Sequence, residues 1–460
     1  MLTLLRQLKT QGIRLVEGCL LPFSLFLFTL HFLFFHLARL RRAEVIILPE
    51  KLNFAGTVWV PDFARHRFPH KRLLFLGFYE PLHNHSHPLI WEDISNVDCL
   101  VMRRMAIDFS FRGKCLILPG RQLYDPLVRK ILMFFAKFGG RAPVFLDYLG
   151  LYGGAEIPEE YKDQFEEVLR QEENKERADV NNVTMKYGTY FYLQRTESLP
   201  SPSLPGRHLT EITQALDNIC SRRPRKGTCG VYLKKNKAAS PGHRRMFDGG
   251  NFEEYLPAFR LLIERGYQIL LTGDRPLPPE LSDEFEGMIV DARIQSLGVP
   301  TNLFKLYAAL HTDIFIGDMG GGIPLACLRN NRPVLALNVF VFGSAYNNLW
   351  IYFKHAYHHD GRHLSFAEMT GEYVYAYAAN VPEDFITEHN TADEVLGAVQ
   401  CYLDEVENPG TSQIDKSLED LWPFYSYFKM GGCHISPAYV RNYHRKRALD
   451  HASRPLNKAS

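Results

Sequence analysis

A loop of five cations and a turn of three glycines are the residues of this chain best suited to holding an anion. The glycines lie in the stretch DIFIGDMGGGIPLACLRNNRPVLALN, residues 313–338. It opens on the apolar run Ile314-Phe315-Ile316, breaks at Gly317-Asp318-Met319-Gly320-Gly321-Gly322, reads as helix from Ile323 to Arg329, and closes on Pro333-Val334-Leu335-Ala336-Leu337. Strand, turn, helix and strand in that order imply a right-handed βαβ unit with a parallel strand pair. Glycines let a ligand approach the backbone closely, and the helix N-terminus offers unpaired N–H groups, a combination that suits a phosphate or diphosphate. The turn matches neither GxGxxG nor GxxxxGK[ST], so a glycine-rich turn that binds nothing is the alternative.

Two further loops follow strand ends. KKNKAASPGHRRMFDGG, 234–250, carries Lys234, Lys235, Lys237, Arg244 and Arg245, and TGDRP, 272–276, contains Gly273 and Asp274. Ligands in doubly wound sheets sit beyond the C-terminal strand ends, so the three loops are expected to line one crevice. Its donor-binding set is Lys234, Lys235, Arg244, Arg245, Gly273, Asp274, Asp318, Met319, Gly320, Gly321 and Gly322. Against this stand a solvated basic loop and aspartates that bond the amides of their own turns.

The elements that position these loops are legible from hydrophobic runs. Residues 44–48, 73–76, 99–102 and 115–118 read as strands, and 58–68 and 126–138 as helices. LPSPSLP, 199–205, reads as a linker. The alternation then restarts, with helices over 209–222, 252–265 and 303–310 and strands at 231–233, 268–271 and 288–290. Strands alternating with helices define an α/β fold with parallel sheets. The expected organisation is a membrane-associating helical segment (1–42), a first Rossmann-like domain (43–205), a second (206–420), and an aromatic and basic tail (421–460) that crosses back toward the first.

Composition narrows the function. At 460 residues and a net charge of +2, the chain is long enough for two domains and offers no reason to expect nucleic acid as a partner. Eight scattered cysteines without a CxxC pair indicate a reducing compartment. His83, His85 and His87 alternate along an extended segment and read either as a metal site or as a polar loop, with no carboxylate or cysteine ligand close by in sequence. From Cys19 to Ala38 the chain is almost wholly apolar and is followed by Arg39, Arg41 and Arg42. A spanning helix, a helix lying in the membrane interface and a buried helix of the first domain are all compatible with it.

The segments EEYLPAFRLLIERGYQILLTGD, MIVDARIQS, LYAALHTDIFIGD and RPVLALN resemble GT-B glycosyltransferases, in particular uncharacterised bacterial enzymes of surface-polysaccharide and flagellar-glycan synthesis, with a heptosyltransferase-like donor domain. The resemblance covers roughly 45–80 and 225–350 and implies two Rossmann-like domains facing a cleft. It further implies transfer of a sugar from a nucleotide-sugar donor to a glycan or lipid-linked acceptor at the cytoplasmic face of the inner membrane, without a metal or other cofactor. The helix from Ile323 would face the leaving diphosphate, and a first-domain carboxylate or histidine, Asp62 or His85, would serve as base. The chain departs from that group where Asn53-Phe54-Ala55-Gly56-Thr57 lacks a histidine, at Lys234 and Asn236, at Asp248 and Gly249, and at Met319-Gly320-Gly321. Those departures define the alternative, a catalytically degenerate protein that binds glycan or nucleotide as a scaffold.

Overall fold

The computed structural model describes residues 21–23, 25–47, 54–78, 87–102, 108–111, 114–117, 121–138, 143–146, 199–220, 226–235, 249–295, 297–329, 332–340, 348–373, 385–410, 417–418, 421 and 433–453. The chain divides into two compact units, 1–155 and 156–460.

In the first unit, helix α1 (25–35) runs into α2 (Leu37–Arg42) and then strand β1 (Val45–Ile47). Helix α3 (Phe54–Arg67) leads to β2 (Leu73–Phe78) and β3 (Val97–Met102), and a hairpin of β4 (Asp108–Phe111) and β5 (Lys114–Ile117) precedes α4 (Arg121–Phe138) and β6 (Val144–Leu146). The sheet order is β3-β2-β1-β6, parallel throughout. Residues 115–118 were expected in that sheet; β5 pairs antiparallel with β4 instead. A four-residue apolar run fits either kind of sheet, and the short gap between the two strands decides for the hairpin. Pro61 lies inside α3, which begins four residues before the expected start at 58. The N-terminal apolar run packs on this unit: Phe28, Phe32 and Leu40 join Ile46, Leu74, Leu76, Val128 and Leu132 in one core.

The second unit follows the expected alternation and extends it. Its elements begin with α5 (Gly206–Cys220), β7 (Gly227–Leu233), α6 (Phe252–Glu264), β8 (Tyr267–Gly273), β9 (Ile289–Val290), α7 (Thr301–His311) and β10 (Ile314–Asp318). They continue with α8 (Gly322–Ala326), β11 (Val334–Val339), β12 (Leu349–Phe353), β13 (His355–His358), α9 (Phe366–Tyr373), β14 (Phe385–Glu388), α10 (Ala392–Glu407), β15 (His434–Ile435) and α11 (Pro437–Ser453). Seven parallel strands lie in the order β15-β12-β11-β10-β7-β8-β9. All residues of β8, β10 and β11 are buried, as near-continuous apolar runs covered on both faces require.

Local signals end the elements cleanly. Asn251 and Glu254 form a capping box at the start of α6, and Gly266, at φ 88°, follows its last turn. Two regions differ from expectation. Pro202, Leu204 and Pro205 of the proline-rich segment are buried, and the Leu204 N–H donates to His311 Nε2 at 3.3 Å, so this stretch is docked on α7. The tail, expected to cross toward the first half, adds β15 to the second unit's sheet edge and packs α11 on α10 and β12, where Tyr439 and Val440 are fully buried. Its aromatic run, 422–428, lies outside the described residues.

Candidate functional site

The sheet of the second unit reverses its winding at β7. From β7 the chain moves outward on one side to β8 and β9, then returns to place β10 on the other side. Right-handed crossovers to opposite sides leave a crevice beyond the C-terminal ends of the two strands where the order reverses. Here those strands are β7 and β10. Lys234 follows the first, and Asp318, with the glycine turn after it, ends the second.

The two meet. Lys234 Cδ lies 3.4 Å from where a Cβ on Gly320 would stand, so its stem crosses the glycine turn. Lys235 is exposed beside it, and Asp274 is exposed at the end of β8. Gly273 takes φ 96°, and a Cβ there would come 2.1 Å from Leu233 O. That carbonyl accepts the Asp274 N–H at 2.7 Å, so Gly273 serves the turn itself. Arg244, Arg245 and His85 lie outside the described residues.

Asp318 was expected to contact the donor, but its carboxylate is buried, 1% exposed, and bonded to the protein. Oδ2 accepts the Lys234 N–H at 2.9 Å. Oδ1 accepts the Tyr255 hydroxyl at 2.5 Å, Asn338 Nδ2 at 2.8 Å and the Gly250 N–H at 3.2 Å. The ends of β7 and β11 and the entry to α6 are thereby tied to the end of β10. Burial pushes the Asp318 carboxyl up, and the four donors oppose that shift.

The glycine turn also differs from expectation. Its glycines make room for the protein's own Tyr232: a Cβ on Gly320 would come 2.9 Å from Tyr232 Cε1, and one on Gly322 would come 2.6 Å from Cδ2. The Gly321 N–H is directed at the phenol oxygen, while burial first, then Asp274 and Asp318, push the phenol up and keep it neutral. Helix α8 has five residues rather than the expected seven, and its third, Pro324, carries no N–H. Met319 and Ile323 donate their amides to Leu337 O and Gly320 O, both at 3.1 Å. A five-residue helix has little dipole to offer a diphosphate, and Pro324 removes one of its few N-terminal donors. Among the described residues, Lys234 and Lys235 bring cations to the crevice, beside Arg275, whose Nε donates to Lys234 O at 3.1 Å.

Two supporting groups escaped the sequence reading. Asp291, wholly buried, accepts Arg293 Nε at 2.7 Å, and the same guanidinium donates to Gly273 O at 2.8 Å and Arg275 O at 2.7 Å, fixing the 272–276 loop. Asn338, at φ 54°, pairs reciprocally with Asn390: each backbone N–H donates to the other's side-chain oxygen, at 2.7 Å and 2.8 Å. Asn338 does stand at the end of an apolar strand, where asparagine tolerates positive φ. Its partner lies far along the chain.

In the first unit, Asp62 is 1% exposed within α3 and accepts Arg65 Nε at 2.9 Å. His66 Nδ1 lies 2.8 Å from the Asp62 backbone oxygen. The carboxylate expected to act as a base is thus held inside its own helix by a buried guanidinium. That arrangement braces α3 and leaves it poorly placed to receive a proton from an acceptor hydroxyl.

Fold and site together define an α/β protein with parallel sheets, whose larger unit carries a lysine-flanked glycine turn at its topological switch point. No protein-family model and no curated protein matches the chain. Among solved structures, a glycotransferase of kitacinnamycin is 12% identical over 90% of this chain and 100% of its own, with a TM-score of 0.28. The wall teichoic acid polymerase TagF is 12% identical over 97% and 98%, with a TM-score of 0.26. Scores this low establish neither a shared fold nor an activity.

Proposed function

We propose that the chain is a glycosyltransferase that moves a sugar from a nucleotide-sugar donor to a glycan or lipid-linked acceptor, with the donor's phosphates received beyond β7 and β10. The observation that carries this reading is the approach of Lys234 to the glycine turn at Gly320, two site elements 86 positions apart in sequence and adjacent at the switch point. A lysine stem beside a small-residue turn at that place suits a nucleotide diphosphate. The resemblance of the surrounding strands to GT-B donor domains supplies the sugar.

A specific observation favours a second reading, a degenerate relative that binds without turnover. Tyr232 occupies the space beside Gly320 and Gly322 and faces the Gly321 amide, where an active donor site would present backbone donors.

Thermal shift of the full chain against UDP, GDP, ADP, CMP and their sugars, with and without EDTA, tests both. A ligand that binds only the native state at a hundredfold excess over its Kd adds about 2.7 kcal/mol of stability. A selective shift that survives EDTA and disappears in Lys234→Ala, followed by product release from the matching sugar donor, is expected. Selective binding with no product across donors and acceptors favours the degenerate reading. Folded protein that responds to no nucleotide removes the donor site altogether.

A further inference from the structure

Helix α1 is apolar around its circumference, yet the unit it belongs to covers one side of it. Phe28 and Phe32, 0% and 2% exposed, lie in the core over Ile46, Leu74 and Leu76, with Leu21 and Leu25 packed against the same cluster. Phe26, Leu30 and Phe34 recur at steps of four and are 58%, 37% and 80% exposed. With 3.6 residues per turn, the two stripes stand on opposite sides of one helix. A helix that is hydrophobic all round is ordinarily covered all round. Here the covering of the outer stripe is missing among the described residues of this unit.

Charge indicates what covers it. From Leu21 to Arg42 the sequence contains no aspartate or glutamate and ends on Arg39, Arg41 and Arg42. Arg39 pairs with Asp98 at 3.8 Å, whereas Arg41 and Arg42 are exposed. Phe134 of α4, the helix packed beside α2, adds a further ring at 57% exposure. Aromatic rings followed by unopposed arginines match the boundary of an anionic bilayer, with rings among the upper acyl chains and guanidiniums at the headgroups. Burial of the opposite stripe against β1 and β2 keeps α1 on its own sheet. No helix among the described residues is long and apolar enough to cross a membrane.

We infer that α1 docks the first unit flat on an anionic lipid surface through Phe26, Leu30 and Phe34, with Arg41 and Arg42 on headgroup phosphates. The docking is independent of any chemistry at the switch point of the second unit.

Flotation of the full chain with vesicles of phosphatidylcholine, with and without phosphatidylglycerol, tests it. The wild type is expected to float with the anionic vesicles. Phe26→Ser with Phe34→Ser should weaken partitioning on the order of tenfold per ring, since each loses the transfer of a largely exposed side chain into hydrocarbon. Arg41→Gln with Arg42→Gln should remove the preference for phosphatidylglycerol. Both double variants alter exposed side chains, so an unchanged thermal midpoint separates lost docking from misfolding. Wild-type protein that stays at the bottom of the gradient overturns the proposal, as does undiminished flotation of the phenylalanine variant. Sedimentation that shows a dimer converted to monomer by Phe26→Ser with Phe34→Ser, without flotation, assigns the stripe to a second copy instead.

Discussion

The ring of Tyr232 takes the volume that a side chain at position 322 would need: a Cβ on Gly322 would stand 2.6 Å from Tyr232 Cδ2. That pairing explains glycine at 322 without any ligand. Gly322→Ala forces the ring, a half-buried aromatic at the end of β7, to shift. The expected loss is about 1–3 kcal/mol, as for other overpacking changes, read by urea unfolding. In a Tyr232→Ala background the same substitution should cost measurably less, because the clash has gone. Equal costs in both backgrounds would refute the packing account.

Asp318 joins three strand or helix ends through four donors. Asp318→Ala should therefore destabilise the second unit by about 3–5 kcal/mol, since it strands buried donors and opens a gap. Lys234→Ala leaves the backbone bond to Asp318 in place and should cost clearly less than Asp318→Ala. Comparable unfolding midpoints for the two variants would contradict this division between a residue that builds the crevice and one that faces it.

Arg293→Ala leaves the Asp291 carboxylate buried without its guanidinium, and frees the carbonyls of Gly273 and Arg275. About 3–5 kcal/mol of destabilisation is expected, the range for removing one partner of a buried ion pair. Amide exchange in residues 272–276 should also accelerate. An unaffected loop would show that the network does not hold it.

The Leu204 N–H bond to His311 Nε2 requires that nitrogen to be unprotonated. Burial, then Arg332 and Arg329, lower the His311 pKa from 6.5 to about 4. Because the folded value lies below the unfolded one, the stabilisation is complete above pH 6.5 and is lost as pH falls toward about 4. Limited proteolysis within 199–205 should accelerate over that interval in the wild type. In His311→Leu, cleavage should be faster at neutral pH and should vary little with acid. A wild-type rate that does not change with pH would dismiss the switch.

The sequence by itself determined the elements and much of their order. Apolar runs at 268–271 and 334–337 became buried parallel strands because runs without alternation suit a sheet covered on both faces. The Asn251 and Glu254 box and Gly266 marked the ends of α6 because capping is a local matter of a few residues. The glycine turn was also visible, as were Lys234 and Lys235 at the end of β7. What the glycines accommodate was decided by tertiary structure alone. Tyr232 comes from a neighbouring strand, and only the β7–β10 pairing, with Tyr232 opposite Gly317, brings its ring beneath the turn. Tertiary contacts likewise turned Asp318 inward and docked a proline-rich stretch that reads as linker. In each case residue type advertised a polar group or a flexible segment. Its use depended on which distant donors the fold carried to it, because desolvation penalises a buried polar group until partners satisfy it.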